Sequence, residues 1–226
     1  MSKDCAKNLK NKKGLPQWFN FLSALTGIIV LSPLFVVVSI LIKLTSKGPV
    51  FFKQKRVGKS LKEFHLYKFR TMVENPENLK ITVKGDKRIT KIGKILRKTK
   101  IDELPQLINV IKGDMAIVGP RPEVKEYVEL NIDEWKKITE IKPGITDPVT
   151  LKLRNEEELL LKAKNPDEFY KNCLAKFKIK GYLQYLSKRT IFFDIKIILT
   201  TIVTVFFPNL TPPPSLEEIY MEIESD

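Results

Sequence analysis

The stretch FNFLSALTGIIVLSPLFVVVSILI, Phe19 to Ile42, holds 24 residues without a charge. A helix over it would run about 36 Å, enough to cross a hydrocarbon core of about 30 Å. It is too long for the apolar core of a signal peptide, and no small-x-small cleavage site follows it. Lys3, Lys7, Lys10, Lys12 and Lys13 stand in a basic N-terminal segment, 1–18, and Lys43, Lys47, Lys53, Lys55, Arg56 and Lys59 follow the stretch. A spanning helix keeps its positive flank cytoplasmic; here both flanks ask for that side. Ser32-Pro33 stands at the centre. Proline removes a helix hydrogen bond, and a neighbouring hydroxyl can take up the carbonyl so freed. The pattern predicts a re-entrant membrane helix over 19–44, broken at Ser32 and Pro33, that enters and leaves the cytoplasmic leaflet. An ordinary kinked span is the alternative.

A second apolar run, Ile191 to Phe207, is interrupted by Asp194 and Lys196 and preceded by Lys178, Lys180, Lys188 and Arg189. It reads as an interfacial amphipathic helix over 191–208, with a buried C-terminal helix as the alternative. Pro208 ends it. Thr211-Pro212-Pro213-Pro214 then lies in an acidic tail, 209–226, expected to be mobile.

The composition agrees with one compact domain, 45–190, beside these segments. In 226 residues, 43 % are hydrophobic and 29 % charged, which excludes an intrinsically disordered chain. A mean hydropathy of -0.14 excludes a polytopic membrane protein. The net charge is +14; residues 211–226 hold five acids and no base, so residues 1–210 carry +19. Such a body seeks phosphate, in nucleic acid, an anionic membrane surface or a phosphorylated substrate. Cys5 and Cys173 match no disulfide framework or metal spacing, and His65, the one histidine, reads as structural.

Within the body, Gly48-Pro49 opens a turn and Val50-Phe51-Phe52 a short strand, with a second strand over Phe64–Met72. Alternation would set Lys68 and Arg70 on one strand face, either solvated or aimed at phosphate. An amphipathic helix follows around Lys87–Lys98, with Ile92, Ile95 and Leu96 on its stripe. Leu104, Leu107, Ile108 and Ile111 make the next helical stripe, stopped by Gly113. Pro105 is tolerated only in a first turn, so that helix begins at about Asp102 and carries Asp102 and Glu103 at its N-terminus. There Asp102 reads either as a plain N-cap or as a reactive carboxylate beside a phosphate. Met115-Ala116-Ile117-Val118 runs as a strand into Gly119-Pro120-Arg121-Pro122. The two prolines stiffen this turn and present Arg121 as a solvated arginine or a diphosphate clamp.

These blocks, in this order, resemble the bacterial sugar transferases, more narrowly the small monotopic phosphoglycosyl transferases. The matching residues are Gly48-Pro49-Val50-Phe51 with Gln54, Arg56 and Gly58; Tyr67-Lys68-Phe69-Arg70-Thr71-Met72; Leu96-Arg97; Asp102-Glu103-Leu104-Pro105-Gln106 with Asn109-Val110; Lys112-Gly113-Asp114-Met115; and Val118-Gly119-Pro120-Arg121-Pro122. The resemblance covers about residues 15 to 146, and with no run of further spans before Phe19 it implies a minimal member. It implies an α+β fold, a helix-rich single domain with a small β element, a re-entrant membrane helix and interfacial amphipathic helices. It also implies transfer of a phosphosugar from a UDP-sugar donor to undecaprenyl (polyprenyl) phosphate, giving polyprenyl diphosphate sugar and UMP. By the same resemblance Asp102 is the nucleophile and forms a covalent phosphosugar intermediate. Asp102 and Glu103 hold Mg²⁺, and Lys68, Arg70, Arg97 and Arg121 lie near the phosphates. The expected place is the cytoplasmic face of a bacterial inner membrane, with glycosyltransferases acting downstream and no nucleic-acid partner.

The chemistry is consistent with these roles. An acyl phosphate splits one transfer between anions into two steps, Mg²⁺ and cationic side chains offset the charge, and two polyanionic substrates give the +19 body a reason. After Lys142-Pro143-Gly144-Ile145-Thr146 the chain departs from the family pattern: many relatives continue with glycine, where this chain runs from Asp147-Pro148 to Asn155-Glu156, and Arg154-Asn155 corresponds only loosely to the relatives' Arg-Asn. Two readings compete with the enzyme. One is a membrane-anchored nucleic-acid-binding protein, suggested by a pI near 9.6 but without a recognisable binding signature. The other is a non-catalytic scaffold for glycan assembly, against which the intact Asp102-Glu103 pair and Arg121 argue.

Overall fold

The structure is a computed structural model and describes residues 14–73, 86, 88–207 and 212–224. Most of the basic N-terminal segment, Cys5, Lys87, Pro208 and Thr211 lie outside these. Helix α1 (Gln17–Thr45) is the apolar stretch, 29 residues long and, by length and composition, able to cross a membrane. It runs through Pro33 without ending. Ser32 Oγ donates to the Ile29 carbonyl at 2.8 Å, the acceptor that an N–H at position 33 would have used. The expected break is therefore no gap in the helix, because a hydroxyl replaces the missing donor.

One stripe of α1 faces protein along its length. Asn20, Ala24, Val38 and Ile42 are buried, a Cβ on Gly27 would stand 3.3 Å from Leu107 Cδ1, and Leu34 and Phe35 pack against Phe69 and Leu96. The opposite side exposes Trp18, Leu22, Ile29, Val30, Val36, Val37, Ile40 and Leu44, an apolar surface of the kind that meets a membrane or a partner. Asn20, the stripe's one polar side chain, is fully paired: Nδ2 donates to the Leu15 and Pro16 carbonyls and Oδ1 accepts from Ile117 N at 2.8 Å.

Strands β1 (Phe51–Val57) and β2 (Glu63–Phe69) form an antiparallel hairpin with Phe51 opposite Phe69. The second strand stops three residues short of Met72. Helix α2 (Lys91–Lys98) starts later than expected, because Thr90 Oγ1 accepts from Gly93 N at 2.9 Å and caps it there. Ile89, placed ahead of that cap, bridges to Met72 instead.

A 3₁₀ turn, Ile101–Glu103, precedes α3 (Gln106–Lys112), which ends on Gly113 at φ 83°. Strand β3 (Ala116–Val118) is followed by α4 (Lys125–Glu129) and α5 (Ile132–Ile138), and then pairs in parallel with β4 (Gly144–Thr146). The backbones approach so closely here that a Cβ on Gly144 would stand 2.1 Å from Gly119 N. The C-terminal half is helical: α6 (Pro148–Lys152), α7 (Glu156–Lys162), α8 (Pro166–Phe169), a π-helical turn (Tyr170–Leu174), α9 (Ala175–Lys188), α10 (Ile191–Phe206) and α11 (Leu216–Glu224). The fold is thus α+β and helix-rich, with two small two-stranded sheets among the described residues.

The main core sets Trp135 and Ile138 of α5 with Tyr182 and Tyr185 of α9, joined by Leu159, Leu174, Val118 and Ile219. Ile219 belongs to the tail expected to be mobile. Instead, Ser215 and Glu218 form a reciprocal capping box that starts α11, and Ile219 is wholly buried. In α10, Asp194 is also wholly buried; Oδ2 accepts from Leu15 N at 2.9 Å and Oδ1 from the Tyr185 hydroxyl at 2.7 Å. The charge that interrupts the second apolar run therefore faces protein, while Phe192, Leu199, Ile202, Val205 and Phe207 are exposed.

Candidate active site

Asp102 and Glu103 lie in the 3₁₀ turn, one turn ahead of α3 rather than on its first residues. Pro105 has no N–H and occupies the N-cap position of α3, so the chain before it closes through tighter bonds such as Leu104 N to Ile101 O at 3.1 Å. Lys100 enters the turn in the left-handed region at φ 58°, a conformation costing a non-glycine residue about 1–2 kcal/mol. The plain N-cap role for Asp102 is not what forms. Its side chain makes no capping bond, it is 7 % exposed, and Oδ1 is buried without a hydrogen-bond partner.

Glu103 is the opposite case. Oε1 accepts from Lys68 Nζ at 3.0 Å and from Arg121 Nη2, and Oε2 accepts from Arg121 Nη1 at 3.0 Å. Both carboxylates are largely buried. Burial, then the neighbouring Glu103 charge, pushes the Asp102 carboxyl up from its ordinary value. Burial acts the same way on Glu103, but Arg121 and Lys68 override it and hold the group well below the carboxylate range. Lys68 is pulled down by burial, with Glu103 opposing. The turn thus presents one carboxylate fixed by two cations beside one that is free to react.

Three elements deliver these groups. Lys68 comes from β2, whose register is held by the wholly buried Asn109 of α3. Its Nδ2 donates to the His65 carbonyl at 2.7 Å and its Oδ1 accepts from Tyr67 N at 3.0 Å. His65 serves here through its backbone. Arg121 sits in the turn after β3, and the next acidic residue, Glu123, anchors that turn: it accepts from Arg56 at 2.6 Å, Val124 N at 3.0 Å and the Tyr170 hydroxyl. Lys178 Nζ extends the network to the Tyr170 hydroxyl at 3.1 Å and Glu156 at 2.8 Å. In the sequence Asn109 stood only among the matching residues, with no role given to it, and Glu123 was not singled out. Both are polar residues inside buried stretches, and that was the available signal.

Of the expected phosphate contacts, Arg70 is not brought to the pair. Strand β2 ends at Phe69, so the alternation that would set Arg70 beside Lys68 stops one residue early. Arg70 Nη2 donates instead to Ser46 O at 2.8 Å and Ser46 Oγ at 2.9 Å, at the end of α1. Arg97 stays within electrostatic reach of Asp102, where its charge opposes the upward push of burial, and its guanidinium donates to Glu157 of α7. Magnesium takes oxygen donors, commonly one or two carboxylates with substrate phosphates. The free Asp102 Oδ1 fits such an ion, whereas Glu103, with both oxygens accepting from Lys68 and Arg121, does not fit as placed. Among the described residues no group of three or more His, Cys, Asp or Glu side chains could hold a metal.

The family model described as bacterial sugar transferase matches residues 11–208. The chain belongs to the bacterial sugar transferases. Within the family it is 37 % identical over 201 residues to the exopolysaccharide production protein PSS of Rhizobium leguminosarum bv. phaseoli, covering 84 % of this chain and 94 % of that one. It is 48 % identical over 112 residues to the UDP-N-acetylgalactosamine-undecaprenyl-phosphate N-acetylgalactosaminephosphotransferase of Aeromonas hydrophila, covering 49 % of this chain and 26 % of the relative. The UDP-glucose:undecaprenyl-phosphate glucose-1-phosphate transferase of Escherichia coli (strain K12) is 36 % identical over 182 residues, covering 77 % of this chain and 36 % of that protein. The match therefore spans only about a quarter to a third of these two bacterial sugar transferases, against nearly all of the Rhizobium one.

Proposed function

We propose that this sugar transferase moves a sugar phosphate from a UDP-sugar to undecaprenyl (polyprenyl) phosphate, with Asp102 as the nucleophile. The observation that carries this is the buried, unpartnered Asp102 Oδ1 beside the Glu103–Lys68–Arg121 cluster. The names of the Aeromonas and Escherichia relatives support the donor and acceptor classes.

In the first step an Asp102 oxygen bonds to the sugar-linked phosphorus, the bond from that phosphorus to the bridging oxygen breaks, and UMP leaves with the electron pair. In the second, an oxygen of the lipid phosphate bonds to the same phosphorus and the Asp102 carboxylate departs, leaving polyprenyl diphosphate sugar. Lys68 and Arg121 stabilise charge on the transferring group, and Glu103 keeps both cations ionised and aimed. Mg²⁺ held by Asp102 and the donor's phosphate oxygens would neutralise phosphate charge.

We place the site at the cytoplasmic face of the inner membrane. Contact between the body and one stripe of α1 from Asn20 to Ile42 supports a re-entrant course, because a helix upright across the bilayer would carry that body into the hydrocarbon. The exposed apolar face of α10 supports an interfacial position for that helix. The product would feed downstream glycosyltransferases.

The test is UMP release by detergent-solubilised protein with Mg²⁺ and undecaprenyl phosphate across a panel of UDP-sugars, wild type beside Asp102→Asn. Release with at least one donor, lost in the variant, is expected. Wild-type-like release by the variant would overturn the nucleophile. Silence across the panel, with DNA retained at physiological salt, would favour a nucleic-acid role instead.

A further inference from the structure

Arg97 lies in the last turn of α2, five residues before Asp102, and its guanidinium is occupied in an uneven way. Nη2 donates to Glu157 Oε1, Nη1 faces Met72 Sδ at 3.8 Å, and Nε is buried with no partner. Nε and Nη2 together form the edge that grips an oxyanion through two parallel bonds. Here a carboxylate holds one of the two donors and the other has no acceptor. This is a half-made phosphate site with a protein group standing in it.

The supporting helix is anchored while the carboxylate is not. Leu159 and Leu160 of α7 are buried in the main core, and Glu156 is held by Lys178 at 2.8 Å. Glu157, by contrast, has a side chain 40 % exposed, so it can leave Arg97 without moving the helix. It directly follows the Asp147–Glu156 stretch in which the chain departs from the family pattern.

We propose that Glu157 is an internal competitor for Arg97, occupying the guanidinium until the diphosphate of the donor takes it, and that it thereby sets donor affinity. This rests on the reading of the protein as a UDP-sugar-dependent transferase. Glu157 acts through Arg97 and does not touch the reacting atoms. Removing its charge frees the arginine edge, so an oxyanion no longer competes with a carboxylate.

The experiment is calorimetric titration of the full chain in detergent with inorganic pyrophosphate, comparing wild type, Glu157→Gln, Arg97→Gln and the double variant, with thermal melts confirming folding. Glu157→Gln is expected to bind pyrophosphate about fivefold more tightly, the scale of one partly exposed ion pair. The double variant is expected to match Arg97→Gln, because the gain runs through Arg97. In turnover the same change is expected to lower donor KM more than it alters kcat. Unchanged or weaker pyrophosphate binding by Glu157→Gln would overturn the competitor, as would a gain that survives loss of Arg97. Tighter binding in a protein that releases no UMP from any UDP-sugar would leave the competitor standing and sink the transferase reading alone.

Discussion

The Asp194 carboxylate accepts a hydrogen bond from Leu15 N at 2.9 Å, across 179 residues of chain. It joins the start of α10 to Leu15, two residues ahead of α1, so the two apolar helices leave the body from one buried point. The Tyr185 hydroxyl donates to the other carboxylate oxygen, Oδ1, and Arg189 Nε lies 3.7 Å from Oδ2. Asp194→Ala strands the Leu15 N–H and the Tyr185 hydroxyl and should cost about 3 kcal/mol. In a chain of this size that is a fall of roughly 6–12 °C in melting temperature, read by thermal unfolding in detergent. A fall under about 2 °C would mean that the junction contributes little.

Asp102→Asn should separate stability from activity. The wild-type oxygen has no hydrogen-bond partner to lose, and the substitution removes a charge that burial disfavours. The variant is therefore expected to melt at or above the wild-type temperature while losing turnover. A marked loss of stability would show that the carboxylate is part of the framework.

Glu103→Ala should do the reverse of Asp102→Asn in the melt. It leaves Lys68 and Arg121, both largely buried, without their shared counter-charge, at a cost of about 3–5 kcal/mol. Glu103→Gln keeps an acceptor oxygen and should cost less. Equal melting of the two variants would rule out the paired cations as the cause.

Glu123 carries a pH dependence. Burial opposes its charge, but Arg56 and Lys178 hold its carboxyl below the ordinary 4.5. A group held below its unfolded value adds stability that is complete above that value and fades as pH falls through the folded one. Glu123→Gln should thus cost about 2–3 kcal/mol at neutral pH and progressively less as the pH is taken below 4.5. Urea unfolding at pH 7 and pH 4 would show the narrowing; a constant difference would assign the loss to packing.

Ser32 and Pro33 offer a rescue test. Ser32→Ala leaves the Ile29 carbonyl unpaired and, on the proposed membrane course, should cost about 1 kcal/mol. Adding Pro33→Ala supplies an N–H to that carbonyl and should recover the loss. Topology has its own readout: with Cys173→Ser, a membrane-impermeant maleimide should reach Cys5 only after permeabilisation, and labelling from outside would refute re-entry.

Much of the fold was legible where period and punctuation agreed. The α1 stretch, the hairpin after Gly48-Pro49, the Gly113 stop and the strand into Gly119 all follow from local chemistry. The start of α2 was misread because Thr90 looks unremarkable until its hydroxyl is seen to cap Gly93. The start of α3 moved to Gln106 because proline, tolerated in a first turn, here takes the cap itself. The tail was read from its prolines and acids, although Ser215 and Glu218 already spelled a capping box. At the site, the pairing of Glu103 with Lys68 and Arg121 needed three elements to meet, which no spacing rule encodes. The same holds for Arg97 and Glu157, 60 residues apart.

On the proposed re-entrant course, the contact of α1 with the body at both its ends, Asn20–Gly27 and Leu34–Ile42, makes bilayer depth and the height of the Asp102 carboxylate a single variable. For an acceptor confined to the same leaflet, encounter then becomes a search in two dimensions. Its rate follows the number of acceptor molecules per unit of membrane area, not the amount per volume of suspension. Thinning the acceptor with inert lipid would slow transfer, while diluting whole vesicles that already hold the protein would not.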